Sequence, residues 1–333
     1  MRKVFLFILL VFMFISVSAK KIAEFDDIYK LSRFKIDGND LYVVDDYSIK
    51  LFSLKDAKLI TQFGKKGEGP GEFRMKPSIQ VFPDYIFVSD YGKILFFKRD
   101  GEYIREKRIP AEIDLAKVGS NYLARDFSFD AKERKSKFGV KVVDSELKKI
   151  KDMYSFARKL PRRNTSSKKK NIFDREMFAK RKRITTDGNF IYLYDTSKGF
   201  YIEICDHMGE KIRTITKKTE LLKISKEFKK KYAENLEKNR KKNIGGISFG
   251  FNYIFPEYFP PIIYLTVDNK KIYVTTYEND ADKRTLVILD HKGVIQKKVS
   301  ILTQKKSIIH KDKLYYFIDN EDEEVWELHV EDL

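Results

Sequence analysis

The segment FGKKGEGPGEF, with Gly67, Gly69, Pro70, Gly71 and Phe73, is the stretch that most resembles a phosphate cradle. A P-loop needs Gly-Lys-Ser/Thr opening a helix, and a dinucleotide loop needs a strand, a glycine turn and then a helix. Here Gly69-Pro70-Gly71 runs into Glu72-Phe73 and no helical period follows, so the glycines and the proline read as a crossover between two β units. Four histidines raise the question of a metal. His207 in DHMG and His291 in DHKG occupy equivalent turns of successive units, which place them apart, and His310 and His329 lack a partner at ligand spacing, so no zinc site is expected. There is no Gly-x-Ser-x-Gly elbow, and the single cysteine, Cys205, sits in a strand-like run without an evident base. No catalytic residue, metal or cofactor is assigned on these grounds.

Carboxylates show a different pattern. Asp45, Asp90, Asp126, Asp195 and Asp319 each close an aromatic-rich run, and Thr276 stands at the corresponding place in one further run. A catalytic carboxylate is normally unique, so a recurring one is better explained as a turn anchor that accepts nearby backbone N–H groups. The alternative is a ring of acids around an axis that could hold Ca²⁺ through oxygen ligands.

The elements around these aspartates repeat. Each unit has a polar turn, an aromatic-rich strand, a short loop, a second apolar strand, an Asp or Gly turn and a third strand. Copies run from Asp37 to Phe63, Pro83 to Ile109, Asp187 to Ile215 and Asp268 to Val299. A looser third copy combines GSNYLARDFSF with FGVKVVDSELKKIKD across a longer loop, and a sixth, from His310 to Val330, stops one strand early. Runs such as LYVV, ILFF and LVIL are apolar on both faces, which means both faces are covered. Six such antiparallel units predict an all-β, six-bladed β-propeller. Residues Ile22 to Lys35 are expected to supply the missing outer strand of the last blade and so join the chain ends.

FGKKGEGPGEF followed by Pro77, IFVSD and KRDG resembles the NHL-type repeat of six-bladed β-propellers, and is similar to a group of exported bacterial propellers. FPEYFPPIIYLTVDNKKIYVTTYE resembles the segment that enters a late blade of that group after a helical insertion. The resemblance covers most of residues 22 to 330 and implies the fold; it implies no reaction.

Two segments depart from the repeat. Phe156 to Ile184 carries Arg158, Arg162, Arg163, Lys168 and Lys169, either a solvated loop or an anion-binding surface. Residues 216 to 261 form the helical insertion between blades 4 and 5. Within it Leu221, Ile224, Phe228, Tyr232 and Leu236 recur at helical steps and mark one apolar stripe. Phe249, Phe251, Tyr253 and Phe255 alternate and would share one face if extended; with Tyr258 they are candidate ligand contacts in a lid, or else a flap packed on the ring.

The chain has 333 residues and a net charge of +18. Residues 1–19 read as a signal peptide: Arg2 and Lys3, an apolar run from Val4 to Val17, and the small-residue exit Val17-Ser18-Ala19. Removing it leaves +16 on residues 20–333, the propeller domain. The cations are scattered, which favours a lysine-rich composition over a nucleic-acid partner. One cysteine allows no intrachain disulfide. The expectation is an exported protein, periplasmic or extracellular, with no transmembrane span after leader cleavage. It would bind a protein, peptide or glycan at the envelope on one propeller face. The alternative is a metal-dependent lactonase-like hydrolase or lyase working in the central channel.

Overall fold

The structure is a computed structural model, and it describes residues 19–110, 113–133, 135–159, 171–178, 182–243, 249–302 and 306–333. The leader, apart from Ala19, lies outside the described residues, as do Arg162, Arg163, Lys168 and Lys169.

Six four-stranded antiparallel sheets form in chain order, each counted from its innermost strand. Blade 1 runs Leu31–Asp37, Asp40–Asp45, Ser48–Ser53 and Leu59–Phe63. Blade 2 runs Ser78–Val81, Ile86–Asp90, Lys93–Phe97 and Tyr103–Arg108. Blade 3 runs Ile113–Val118, Asn121–Asp130, Lys135–Val143 and Lys149–Lys159. Blade 4 runs Lys182–Thr186, Ile191–Asp195, Phe200–Cys205 and Lys211–Lys217. Blade 5 runs Tyr264–Asp268, Lys271–Tyr277, Lys283–Asp290 and Ile295–Leu302. Blade 6 runs Ser307–His310, Lys313–Asn320 and Val325–Asp332, and its outermost strand is Lys20–Phe25 from the start of the chain. The six-bladed propeller is thus the observed architecture.

Burial explains why the middle strands are apolar on both sides. All five residues of Ile86–Asp90, Lys93–Phe97 and Ile191–Asp195 are buried, whereas the outermost strands Leu59–Phe63 and Tyr103–Arg108 are largely open to solvent. A hydrophobic cluster fills each of the six seams between neighbouring blades. The clusters contact each other only through the sheets between them, so the ring is held by face-to-face packing of twisted blades.

Two expectations need correction. The segment Ile22 to Lys35 does not act as one outer strand: Lys20–Phe25 closes blade 6 against Val325–Asp332, while Leu31–Asp37 is the innermost strand of blade 1. Phe34 and Ile36 enter the seam with blade 6 while Arg33 and Lys35 face away from it, which is why this strand is half polar. The long loop expected in the third unit is instead a tall hairpin, in which Asn121–Asp130 and Lys135–Val143 remain paired as far as Asp130 and Lys135. Phe127 pairs with Phe138, and Phe138 with Phe156, so three aromatic rings form a row across the extension.

The insertion between blades 4 and 5 contains the helix Lys226–Asn243 and the strand Phe249–Ile254. That strand pairs in parallel with Asn171–Glu176, from the connection between blades 3 and 4. Among the described residues no helix is long and apolar enough to cross a membrane.

Candidate functional site

The glycine-rich crossover is locked shut by its own contacts. Phe73 donates its N–H to the Lys65 carbonyl (2.8 Å), Gly67 donates to the Phe73 carbonyl (3.0 Å) and Gly69 donates to the Glu72 carboxylate (2.8 Å). Phe73 is fully buried in the seam between blades 1 and 2. A Cβ on Gly64 would stand 2.2 Å from the Phe73 ring, so this approach requires glycine. The buried Lys93 ammonium donates to the Gly69 carbonyl (3.0 Å) and pairs with Glu106 (3.1 Å). The Gly67 and Gly69 N–H groups, two that a phosphate cradle would offer, are already bonded within the segment.

The recurring aspartates separate into two groups. Asp45 accepts from the N–H groups of Tyr29 (3.1 Å) and Lys30, and Asp90 accepts from those of Arg74 (2.7 Å) and Met75 (2.9 Å). Each ties the end of its strand to the segment entering its own blade. Asp195 accepts from Ser197 N–H (3.0 Å) and caps the short 3₁₀ turn Thr196–Lys198. Asp126 does something else: it lies within the extended strand of blade 3 and pairs with Lys141 at 3.0 Å. Asp319 is exposed opposite Trp326 and accepts no hydrogen bond among the described residues. The turn-anchor expectation therefore fails at Asp126 and Asp319. In the first, the strand carries on past the aspartate, leaving no turn to hold.

His207 and His291 contribute backbone carbonyls. The first accepts from Asn121 Nδ2 (2.9 Å) and the second from an Arg213 guanidinium N–H (2.7 Å), so each turn is hydrogen-bonded to the preceding blade. Cys205 is buried in the seam between blades 3 and 4, and burial together with Glu203 pushes its thiol up to about 11.

The insertion is built on an aromatic knot. Phe178 lies against Phe228, Tyr232, Phe255, Phe259 and Tyr277 at ring separations of 4.8–6.1 Å. The helix starts where Ser225 Oγ accepts Phe228 N–H (3.0 Å), a capping geometry that satisfies one free helical donor. The helix stands on the turn of blade 5 that contains Asn279 and Asp282, through Ser225 N–H to Asn279 (3.1 Å) and Lys231 to Asp282 (2.6 Å). Of the predicted aromatics, Tyr253 on the strand and Phe255 just beyond it reach the helix. Tyr253 donates to Glu237 (2.8 Å) and Phe255 packs on Tyr232 (6.3 Å). Phe251 is bordered by Tyr253 and the Arg175 guanidinium. Phe249 belongs to the same strand, and Arg158 lies opposite Ser136, one residue before the pairing of blade 3 ends at Lys159. Tyr258 stays exposed, on a segment whose backbone bridges to Lys223.

Below the insertion, where the chain leaves blade 4 at Lys217 and before it enters blade 5 at Tyr264, lies a cavity of about 500 Å³. Leu221, Leu222 and Ile295 give it an exposed apolar rim, and Lys217, Lys218 and Lys298 outnumber the one acid of its lining, Glu220. A second cavity, about 400 Å³, opens at the other end of the same seam beside Asp187 and Asp268. A third, about 290 Å³, includes Arg33, Ser78, Asp90 and Asp114 from blades 1, 2 and 3.

The innermost strands carry charged residues at both ends of the axis. Asp114 is engaged by Arg125 (3.2 Å) and Ser89 Oγ (3.0 Å). Towards the other end Asp268 accepts Lys311 N–H (2.7 Å) and stands 3.6 Å from His310 Nδ1. Burial lowers the Lys35 ammonium pKa below its ordinary value, Arg33 adds to that, and Asp268 opposes it. Among the described residues the one group of three or more His, Cys or acidic side chains with converging ligand atoms is Glu24, Glu323 and Glu327, on the outer part of blade 6.

A family model described as 6-bladed beta-propeller matches residues 8–180. No curated protein matches the sequence. Among solved structures the chain is similar to the AfRom2 CNH domain, with 10% identity and a TM-score of 0.38, covering 94% of this chain and 98% of that one. It is similar to the Pyrococcus horikoshii acylaminoacyl peptidase at 11% identity and a TM-score of 0.42, covering 86% of this chain and 42% of that one. It is also similar to Kluyveromyces lactis Hsv2p at 11% identity and a TM-score of 0.36, covering 91% and 97%.

Proposed function

The chain belongs to the DUF5128 family of 6-bladed beta-propellers, and from that premise we propose that it is an exported, non-catalytic binding protein of the cell envelope. Its ligand is a peptide or protein segment that places an apolar side chain beside a carboxylate. The observation that supports this reading is the 500 Å³ cavity at the base of the insertion, with an apolar rim inside a set of lysines. Burial of an apolar group supplies affinity there, and the cations select an acidic neighbour and speed encounter. Tyr258, exposed on the same stem, directly precedes Phe259 of the cavity wall and could join that rim. Tyr253 and Phe255 instead contact the helix of the insertion.

The metal-dependent hydrolase or lyase would need several ligands converging on the axis. The three-carboxylate group among the described residues is on blade 6, away from it. Two variants test the reading: Leu222→Asp, which puts a charge into the apolar rim, and Lys298→Glu, which reverses one of the cations. The wild-type chain, immobilised and exposed to envelope extract, is expected to retain a partner that both variants lose. Equal retention by all three proteins, retention of a glycan alone, or turnover of an ester or lactone by the wild type would overturn it.

A further inference from the structure

We propose a second site, at the far end of the seam between blades 4 and 5 from the insertion: a slot for a small ligand that carries both a guanidinium group and a carboxylate, a basic amino acid or a short peptide containing one. The internal repeat makes this seam equivalent to the one between blades 1 and 2. Asp37-Gly38-Asn39 and Tyr42 of blade 1 correspond to Asp187-Gly188-Asn189 and Tyr192 of blade 4, each set leading into the second strand of its blade. Across each seam stands the turn between the third and fourth strands of the next blade. The two turns close with the same backbone bond, Gly101 N–H to the Lys98 carbonyl (3.0 Å) and Gly293 N–H to the Asp290 carbonyl (2.9 Å), which aligns Arg99 with His291.

Between blades 1 and 2 the chain fills this place itself. The Arg99 guanidinium lies over the Tyr42 ring at 5.4 Å, pairs with Asp37 and with Asp40 (2.7 Å), and donates to the Phe82 carbonyl (3.1 Å). Tyr42 is fully buried beneath it. Between blades 4 and 5 the shorter His291 is exposed and the place is open, as the cavity of about 400 Å³ that Asp187, Tyr192 and His291 all border. That volume is at the low end of the range of about 300–1,000 Å³ for small-molecule sites. The corresponding histidine of blade 4, His207, packs instead against Gly119, 2.9 Å from where a Cβ would stand.

The groups that hold a guanidinium in one seam therefore face a cavity in the other. Asp187 accepts the Tyr192 hydroxyl (2.9 Å) and the N–H groups of Asn189 (2.9 Å) and Phe190 (2.8 Å), which fixes a carboxylate that stays exposed. Phe190 stands where blade 1 has Asp40, and its exposed ring adds a second aromatic surface for a cation. The lining carries positive charge too, and this selects against a bare cation. Arg213 spends one guanidinium N–H on the His291 carbonyl and has further donors, and Lys270 makes no ion pair among the described residues. A carboxylate on the ligand meets these two cations, while its guanidinium takes the tyrosine ring and Asp187. Ile204 and Ile272 between them suit an aliphatic chain.

Titration calorimetry on the full chain tests the site with L-arginine, with arginine methyl ester, which lacks the carboxylate, and with L-norvaline, which lacks the guanidinium. Saturable binding of L-arginine is expected, with the ester several-fold weaker and norvaline at least tenfold weaker. Asp187→Asn, which keeps an acceptor oxygen for the turn, should weaken arginine binding at least tenfold. His291→Arg should supply the missing guanidinium from the chain itself, abolish arginine binding and leave Tm unchanged or higher. The His291 ring-proton resonance, followed by NMR in the wild type, should shift during the arginine titration, a readout that does not depend on any variant folding. Absence of saturable arginine binding, an unmoved His291 resonance during binding, or unchanged affinity in folded Asp187→Asn or His291→Arg overturns the site. Equal affinity for the ester or for norvaline overturns the ligand assigned to it.

Discussion

The seam between blades 6 and 1 and the seam between blades 4 and 5 solve the same packing problem differently. The first is a phenylalanine cluster: Phe25 meets Phe52 at 4.9 Å and Phe317 at 5.7 Å, and Phe34 meets Phe317 edge-on at 4.9 Å. The second is built from tyrosines and aliphatic residues such as Tyr192, Ile202, Ile262 and Val287, and has a cavity at each end. Where the two chain ends meet, only non-covalent contacts keep the circle shut, and an open circle would expose two long sheet edges. Between blades 4 and 5 the chain is continuous through the insertion, so the seam can be left incompletely filled and still hold. The propeller is therefore tight where it closes and hollow where it carries its insertion.

The largest expected effect comes from breaking the tight seam. Phe25 is 2% exposed and belongs to the one strand that joins the N-terminal part of the chain to blade 6. Phe25→Ala should destabilise the protein by about 3–5 kcal/mol, the usual cost of emptying a phenylalanine site. Urea denaturation followed by circular dichroism measures it. A loss below about 1 kcal/mol would mean that the closing strand contributes little and that the comparison is mistaken.

Overfilling both seams sharpens it. Val43 is fully buried in the phenylalanine cluster, whereas Val287 borders the 500 Å³ cavity. Val43→Leu is expected to cost about 1–3 kcal/mol, the range for overpacking a filled core. Val287→Leu should remain within about 0.5 kcal/mol, because the added methylene has space to enter. Equal costs for the two would show that the cavity walls are as rigid as the closed seam.

Legibility in the sequence followed burial. The three outer strands of most blades were readable because their apolar residues need cover on both sides, as in Ile86–Asp90 and Phe200–Cys205. The innermost strands were hidden because one side lines the axis: Arg33 and Lys35 interrupt Leu31–Asp37, so its boundary with the closing strand could not be seen. Only the stretch between Phe129 and Phe138 reads as a loop in the sequence, because Asp130 to Lys137 is almost wholly charged and polar, a composition that resembles a turn. The insertion helix was readable from Phe228 and Tyr232, though Leu221 and Ile224 precede its first turn. Nothing in the sequence joins Asp268 and His310. The packing of blade 5 against blade 6 brings them to 3.6 Å, and no local spacing records that.

A smaller effect separates the true anchors from the apparent ones. Burial pushes the Asp45 carboxyl up, but Lys50 and the N–H groups of Lys30 and Tyr29 outweigh it and hold it below its ordinary value. A carboxylate with a depressed folded-state pKa stabilises the fold above its unfolded value of 3.8, and that contribution is lost as pH falls through the folded pKa. Asp45→Ala, which removes a charged acceptor shared by the Tyr29 and Lys30 N–H groups and Lys50, should cost about 1–3 kcal/mol at neutral pH. It should also flatten the acid limb of the stability profile. Asp126→Ala removes a part-exposed pair with Lys141 and should cost less than about 1 kcal/mol. Matching losses would restore Asp126 as an anchor.

The smallest expected effect is an absence of reaction. Blade 4 contributes to both the loose seam and the filled seam with blade 3, and Cys205 faces the filled one while Ile202 and Ile204 of the same strand face the loose one. With its thiol held near 11, Cys205 has almost no thiolate at pH 8. It should therefore react with an aromatic disulfide reagent only when the blades separate. If the hollow in the seam between blades 4 and 5 is a fixed shape, labelling follows global unfolding, and its rate rises with urea as the unfolding equilibrium does. If the hollow instead reflects blade 4 swinging open, labelling in the absence of urea will run ahead of that extrapolation and be nearly independent of denaturant. Fixed packing predicts the first outcome, because the cavity walls at Phe259 and Val287 are themselves buried and supported from behind by the aromatic knot and by Leu289. A pocket held in this way keeps its shape before a ligand arrives, and pre-organisation of that kind is what allows a modest contact area to bind selectively.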